Sequence, residues 1–126
     1  MHANLARRFA LIGRLAGFPP FRTRVFSHSL SSMFTVTWHF LPAPGREKEF
    51  LHAYGPDGPW VALFRRARGY LGTDLAPLPE EPGWYRTIDR WRSEEDYRAF
   101  RAAFGVEYGV IDKACEQLTH EERPVP

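Results

Sequence analysis

The stretch YRTIDRWRSEEDYRAF, residues 85–100, contains a strand and the start of a helix. Its first half has the alternation of a β-strand, in which every second side chain lies on the same face. The side chains on one face are Tyr85, Thr87, Asp89 and Trp91. Ser93 then precedes three acids, a pattern typical of a helix N-terminus, where a hydroxyl caps free N–H groups and the helix dipole favours negative charge. The stretch therefore predicts a strand that passes directly into a helix.

The segments before this stretch predict two more strands and an interrupted helix. FTVTWHFL, residues 34–41, alternates apolar and polar side chains and is rich in β-branched and aromatic residues, which indicates a strand. A helix is expected from about residue 46 to residue 54 and resumes at Pro59 after a Gly-Pro-Asp-Gly break. Residues 69–75 read as a weaker second strand.

After the opening stretch, Gly105 interrupts the helical pattern and a further apolar stripe runs to about Leu118. THEERPVP, at the C-terminus, has the length of a short edge strand. The resulting order, β-α-β-β-α-(β), predicts an α+β fold of the ferredoxin-like, split βαβ type, with an antiparallel sheet and helices on one face. Ile88 is expected in the core. The other face would be uncovered, and a second copy packing sheet to sheet would bury it.

Length and charge divide the chain at Met33. The 126 residues suffice for one domain. Residues 1–32 hold five of the 17 Lys/Arg and none of the 15 Asp/Glu, so residues 33–126 carry 12 basic against 15 acidic side chains. We therefore expect a basic N-terminal extension over residues 1–32, disordered or partly helical, and one folded domain over residues 33–126.

The basic extension contains the run NLARRFALIGRLAG, residues 4–17. Its apolar residues recur at helical spacing while Arg7 and Arg14 lie opposite them, which predicts a basic amphipathic helix. Three interpretations remain open: a targeting segment, an arm that lies on an anionic surface, or an upstream extension with Met33 as the true start.

Several classes of protein are disfavoured by composition and spacing. The lone Cys115 allows no intramolecular disulfide, which suits a reducing compartment and a cytoplasmic location. No run approaches the roughly 18 apolar residues of a membrane span. The five histidines show no metal-ligand spacing. Arg65, Arg66 and Arg68 suggest nucleic-acid binding, but a helix C-terminus explains such a cluster and the folded unit is net acidic.

Two motifs resemble the antibiotic biosynthesis monooxygenase (ABM) family, of the dimeric α+β barrel group. They are Gly69-Tyr70-Leu71-Gly72-Thr73 and the Tyr85 to Phe100 stretch, with Trp91-x-Ser93 at its strand-to-helix junction. The resemblance covers nearly all of residues 33–120 and implies a homodimer with a pocket between sheet and helices in each subunit. Characterised relatives include cofactor-independent monooxygenases that oxidise polyphenolic aromatic compounds to quinones, haem-degrading oxygenases, and proteins without an established activity.

The haem-degrading branch matches this chain poorly. Its members use an asparagine on the first strand, a tryptophan after the third strand and a histidine ten residues beyond. Trp91 matches the tryptophan, but Arg101 stands in the place of the histidine and the first strand has no asparagine. Arginine cannot supply the neutral nitrogen that haem iron needs.

The cofactor-independent branch needs an apolar pocket with a few polar groups and no metal, haem or flavin. We expect Trp60, Arg86 and Tyr54 to be catalytic, because arginine stays protonated and can stabilise a phenolate or peroxy anion, while indole and phenol groups donate hydrogen bonds. The expected substrate-binding residues are Tyr85, Trp91, His39 and His52. The competing interpretation is that the aromatics are core, His39 lies in a dimer interface and His52 is solvated.

Two functions therefore remain. One is an ABM-type cofactor-independent monooxygenase that acts on a small aromatic or polyketide-like compound. The other is a non-catalytic, dimeric ligand-binding or stress-related protein on the same fold, since one fold serves many functions.

Overall fold

The computed structural model describes residues 33–126, so the predicted basic helix of residues 1–32 lies outside the described part. Its elements, in chain order, are β1 (Phe34–Pro42), α1 (Glu47–Tyr54), α2 (Pro59–Phe64), β2 (Tyr70–Pro77), β3 (Tyr85–Trp91), α3 (Glu94–Ala103), α4 (Gly105–Cys115), a 3-10 turn (Glu116–Leu118) and β4 (Thr119–Val125). No helix in this range is both long and apolar enough to cross a membrane.

The four strands form one sheet in the order β2-β3-β1-β4, and every neighbouring pair is antiparallel. This arrangement confirms the predicted ferredoxin-like α+β fold. The C-terminal residues supply β4 at one edge, next to β1. Within residues 33–126 the sheet is open rather than closed into a barrel, because β2 and β4 are both edge strands there.

The core lies between the sheet and the helices and is mostly aromatic. On β1 the predicted alternation places Val36, Trp38 and Phe40 on the helix side, with 9%, 4% and 1% of their surface exposed. Phe50 of α1 and Trp91 of β3 are fully buried. Rings in contact at 4.6 to 6.3 Å connect all layers of this core, which is the spacing at which aromatic pairs are favourable.

The helix boundaries follow the signals in the sequence. The Ser93 Oγ accepts a hydrogen bond of 3.1 Å from the Asp96 N–H, as the predicted cap requires. Pro59 opens α2, where a missing N–H costs nothing. Gly58 before it lies so close to the end of α1 that a Cβ would collide with the His52 and Ala53 carbonyl oxygens. The helical break is therefore a tight crossing that only glycine permits.

Among residues 33–126 no helix lies on the opposite face of the sheet, which we call the uncovered face. It includes His39 and Leu41 of β1 and Arg86 and Ile88 of β3. Ile88 is half-buried there, so its predicted core position is wrong: the core of β3 is formed by the other set of alternating residues, which includes Thr87 and Trp91.

A β-bulge interrupts β2 near its start. Tyr70 pairs with Trp91, but Gly72 pairs with Arg90, so Leu71 is an extra residue in the ladder. Gly72 has a φ of 142°, a conformation that favours glycine. Tyr70 and Thr73 are three residues apart and would lie on opposite faces of a regular strand. The bulge brings both to the helix side, where Thr73 pairs with Asp89.

Candidate functional site

A small cavity, which we call the inner cavity, lies between the sheet and α2. Seven aromatic side chains form most of its wall: Trp38, Phe40, Tyr54, Trp60, Phe64, Tyr97 and Tyr108. Val36 and Val61 add to this apolar wall, and Thr73, Thr87 and Asp89 are its polar members. An apolar enclosure with a few convergent polar groups is the usual composition of a small-molecule site.

Two polar groups of the wall, Thr73 and Asp89, form a chain of hydrogen bonds with the nearby Tyr70. The Thr73 Oγ1 donates to the Asp89 Oδ1 over 2.7 Å and lies 2.5 Å from the Tyr70 Oη. Burial raises the pKa of the Tyr70 phenol, and the bond to Thr73 offsets only part of that effect. Tyr70 is therefore protonated at neutral pH.

A second and wider depression, which we call the outer pocket, adjoins the inner cavity. Its walls are Pro56, Val61, Arg65, Tyr70, Leu71, Gly72 and Thr73. Val61 and Thr73 line both spaces and thus form the partition between them. The exposed Arg65 places a permanently charged guanidinium in the wall of the outer pocket.

The two spaces differ greatly in size. The inner cavity offers about 20 Å³, which is room for roughly one water-sized molecule. The outer pocket offers about 390 Å³, which falls within the range of pockets that hold organic ligands. The outer pocket therefore has the volume of an aromatic ring system, and the inner cavity has room only for a very small molecule.

The structure places two of the seven predicted site residues in the wall of the inner cavity, Tyr54 at the end of α1 and Trp60 in α2. Their ring centroids are 6.1 Å apart, and the Trp60 ring meets the Tyr108 ring edge-on at 4.8 Å. Both side chains are almost fully buried. They would contact whatever occupies the inner cavity.

Two other predicted residues lie on the helix side of β3 but not in the cavity wall. Trp91 is fully buried and packs on Phe100 at 5.0 Å, as a core residue. The Tyr85 ring packs at a tilt against the Phe50 ring, with centroids 5.5 Å apart, and the Tyr85 O–H donates a hydrogen bond to the Glu47 carboxylate. This hydrogen bond raises the pKa of the Tyr85 phenol.

The remaining three predicted residues are outside both spaces. Arg86 is exposed on the uncovered face, directly beside His39. Partial burial lowers the pKa of His39, and the nearby Arg123 guanidinium of β4 lowers it further. His52 is exposed on α1. The structure thus separates Arg86 and both histidines from Trp60 and Tyr54.

Several residues that line the site were not among the predicted ones. The alternation of β3 already places Asp89 with Thr87 on one face, and that face is now seen to border the cavity. Thr73 and Tyr70 had no such signal, because a bulge decides which way they point. Tyr97 and Tyr108 share the apolar spacing of core residues and cannot be told from them by pattern alone.

The side chains that could ligate a metal or haem are dispersed in the described residues. In the part of the chain that the structure describes, no group of three His, Cys, Asp or Glu side chains is arranged to hold a metal ion. Arg101, in the position of the haem-ligating histidine, lies over the Tyr108 ring with its guanidinium carbon 3.5 Å from the centroid. It therefore has a packing role next to the cavity wall.

An open antiparallel sheet with helices on one face and an aromatic cavity between the layers defines a ferredoxin-like α+β domain. The family described as Antibiotic biosynthesis monooxygenase, ABM, matches residues 33–105, and the chain belongs to this family. The comparison with curated proteins gave no match.

Solved structures support the same fold. A Bordetella bronchiseptica structure named for the ABM family is 25% identical, with a TM-score of 0.57 over 75% of this chain and 94% of that one. A mutant of SnoaB, a cofactor-independent oxygenase from Streptomyces nogalater, is 18% identical, with a TM-score of 0.52 over 76% of this chain and 93% of its own. A Nitrosomonas europaea structure is 12% identical, with a TM-score of 0.55 over 74% and 86%.

Proposed function

We propose that this protein is a cofactor-independent monooxygenase that oxidises a small aromatic or polyketide-like phenol. The observation that carries the proposal is the pair of adjoining spaces, one sized for an aromatic ring system and the other for a single small molecule, with a carboxylate and hydroxyls between them. Membership of the ABM family and similarity to the fold of a cofactor-independent oxygenase support it.

In the proposed reaction, a phenol and dioxygen give a quinone and water. One oxygen atom bonds to a ring carbon, and the other leaves as water with the two hydrogens lost from that carbon and the hydroxyl group. The phenol supplies the electrons that reduce dioxygen. Loss of the phenol proton raises the electron density of the ring, so proton acceptors beside the substrate accelerate the reaction.

The two spaces suit the two reactants. The outer pocket takes the aromatic compound, and the inner cavity takes dioxygen, a small apolar molecule, next to Trp60 and Tyr54. The indole N–H and the phenol O–H are donors for the negative charge that develops on reduced oxygen. Arg86 is on the uncovered face and is left out of this site.

The proposal includes a homodimer in a reducing, cytoplasmic compartment. A sheet with one uncovered face gains from a second copy, and a symmetric dimer would use the same face of each chain. The lone and buried Cys115 suits a compartment in which thiols stay reduced.

Oxygen uptake with 1-naphthol and larger hydroxylated aromatics tests the activity. We expect uptake that survives a chelator, and a Trp60→Phe variant that loses roughly tenfold or more in kcat/KM, since the cavity wall changes shape and an N–H donor is removed. Trp84→Phe is the matched control, because Trp84 packs on Arg123 at 3.8 Å, away from both spaces. Equal activity of the two variants would remove Trp60 from the site.

The competing function is a non-catalytic ligand-binding protein. A ligand-binding protein would use the same outer pocket but would form no product. If hydroxylated aromatics bind and are recovered unchanged without oxygen uptake, the ligand-binding function holds and the monooxygenase proposal fails.

A further inference from the structure

In the chain of hydrogen bonds between the two spaces, each hydroxyl donates towards Asp89. This order of donors and acceptors indicates what the chain can do. We infer that Tyr70, Thr73 and Asp89 form a relay that accepts the hydroxyl proton of an aromatic compound in the outer pocket and passes it to the carboxylate of the inner cavity. This inference rests on the proposed function and names the group that deprotonates the phenol.

The direction follows from counting protons. An ionised carboxylate has no proton to donate, so Thr73 must donate its single hydroxyl proton to the Asp89 Oδ1, 2.7 Å away. The Thr73 Oγ1 can then only accept in its 2.5 Å contact with the Tyr70 Oη, so Tyr70 is the donor there. A ligand hydroxyl that meets Tyr70 must therefore donate to the Oη lone pairs.

The relay also connects the outer pocket with the inner cavity. Tyr70 and Thr73 line the outer pocket, and Thr73 and Asp89 line the inner cavity. The chain of three oxygens thus crosses the partition. The bulge at Leu71 is what permits this, because it brings Tyr70 and Thr73 to the same side of the sheet and sets Thr73 opposite Asp89.

The transfer moves one proton and no electrons. The O–H bond of the bound phenol breaks, and its proton binds to the Tyr70 Oη. The former Tyr70 proton passes to the Thr73 Oγ1, and the former Thr73 proton passes to the Asp89 Oδ1. A phenolate and a carboxylic acid result, and the phenolate is the form that reacts with dioxygen in the proposed function.

Equilibrium binding tests the direction without any turnover. Fluorescence titrations of the full chain would use 1-naphthol and its methyl ether, 1-methoxynaphthalene, which has no proton to donate. We expect wild type to bind 1-naphthol roughly five- to tenfold more tightly, the value of one net hydrogen bond. In Thr73→Val the Tyr70 proton turns to the ligand oxygen, which both compounds possess, so the ratio should fall to about one.

Two variants make this result specific. Thr73→Ser keeps a hydroxyl and should restore the preference for 1-naphthol. Thr35→Val makes the same chemical change on an exposed part of the uncovered face and should keep the wild-type ratio. An unchanged ratio in Thr73→Val would overturn the relay, as would a wild type that binds neither compound or binds both equally. Thermal melts of each variant separate loss of the relay from loss of folding.

A kinetic measurement distinguishes this inference from the proposed function. Asp89→Asn keeps the shape of the side chain but is a far weaker proton acceptor, so we expect it to bind 1-naphthol and to lose about a hundredfold in turnover. Full turnover in both Asp89→Asn and Thr73→Val would overturn the relay and leave the monooxygenase standing. A wild type without turnover that shows the predicted binding ratios would overturn the monooxygenase and support the relay's direction.

Discussion

Gly72 in β2 determines how the side chains of the candidate site are oriented. Its φ of 142° completes the bulge that brings Tyr70 and Thr73 to one side of the sheet. A Cβ at this position would meet no atom within 4 Å, so sterics with neighbours do not explain why glycine is needed. Only the backbone conformation does.

Gly72→Ala and Gly109→Ala form a matched pair that isolates this effect. A Cβ on Gly109, in the middle of α4, also meets nothing within 4 Å, and the backbone there is helical. We expect Gly72→Ala to lower the free energy of unfolding by about 1–2 kcal/mol through strain. Gly109→Ala should raise it by about 0.5–1 kcal/mol, because alanine favours a helix.

Urea unfolding of both variants measures the two effects under identical conditions. Similar changes of the same sign would contradict the strain assigned to Gly72. If Gly72→Ala also loses the preference for 1-naphthol over its methyl ether, the bulge and the relay are linked as the structure implies.

Single residues mark the limit of what the sequence could predict. Trp60 and Tyr54 were expected at the site from their residue types, and both line the inner cavity. Arg86 was expected there on the same grounds but lies on the uncovered face, since strand alternation separates it from Thr87 and Asp89. Thr73 needed knowledge of the bulge, which a period of two cannot provide.

At the scale of elements, patterns predicted well wherever one local signal dominated. The alternation of β1, the Ser93 cap of α3 and the Pro59 start of α2 all appear in the structure. Ile88 was misplaced because both faces of β3 carry a mixture of polar and apolar residues, and only the packing of the helices selects one.

The pairing of β1 with its neighbours predicts a pH effect centred on His39. Its neighbours are Arg86 of β3 and Arg123 of β4, together with Glu80 and Glu81 of the β2–β3 connection. Burial is the largest cause of its lowered pKa, and the two arginines add to it. The unfolded chain therefore binds a proton at His39 more readily than the folded chain does.

Stability therefore decreases as the pH falls. The stabilisation is fully present above the ordinary histidine pKa of about 6.5 and is lost as the pH falls towards the lowered value. We expect the urea midpoint to fall between pH 7 and pH 5.5, and to fall less in His39→Gln. The lowered pKa values of Asp74 and Glu49 act only below their ordinary values near 4, outside this window. An equal fall in both proteins would contradict the assignment to His39.

At the scale of the whole molecule, the open sheet predicts self-association. Two chains that cover each other's uncovered faces would complete the dimeric α+β barrel expected from the family resemblance. We expect sedimentation velocity to give twice the chain mass of 14.6 kDa at micromolar concentration. Sedimentation at the monomer mass with an intact fold would show that the uncovered face is stable in water.

The sequence did not predict that the candidate site consists of two spaces, an outer pocket and an inner cavity. It depends on how closely α2 approaches β2, and only Val61 and Thr73 separate the two spaces. Aromatic residue types indicate an apolar site, but the free volume is set by packing, which a pattern of residue types does not determine.

Isotopic labelling of dioxygen shows whether the protein inserts an oxygen atom into the bound phenol. Purified, chelator-treated protein would be incubated with 1-naphthol under isotopically labelled dioxygen, and the product analysed by mass spectrometry. For a monooxygenase we expect a quinone that contains one labelled oxygen atom, with the second recovered in water. A quinone without label, or bound 1-naphthol returned unchanged, would contradict this expectation.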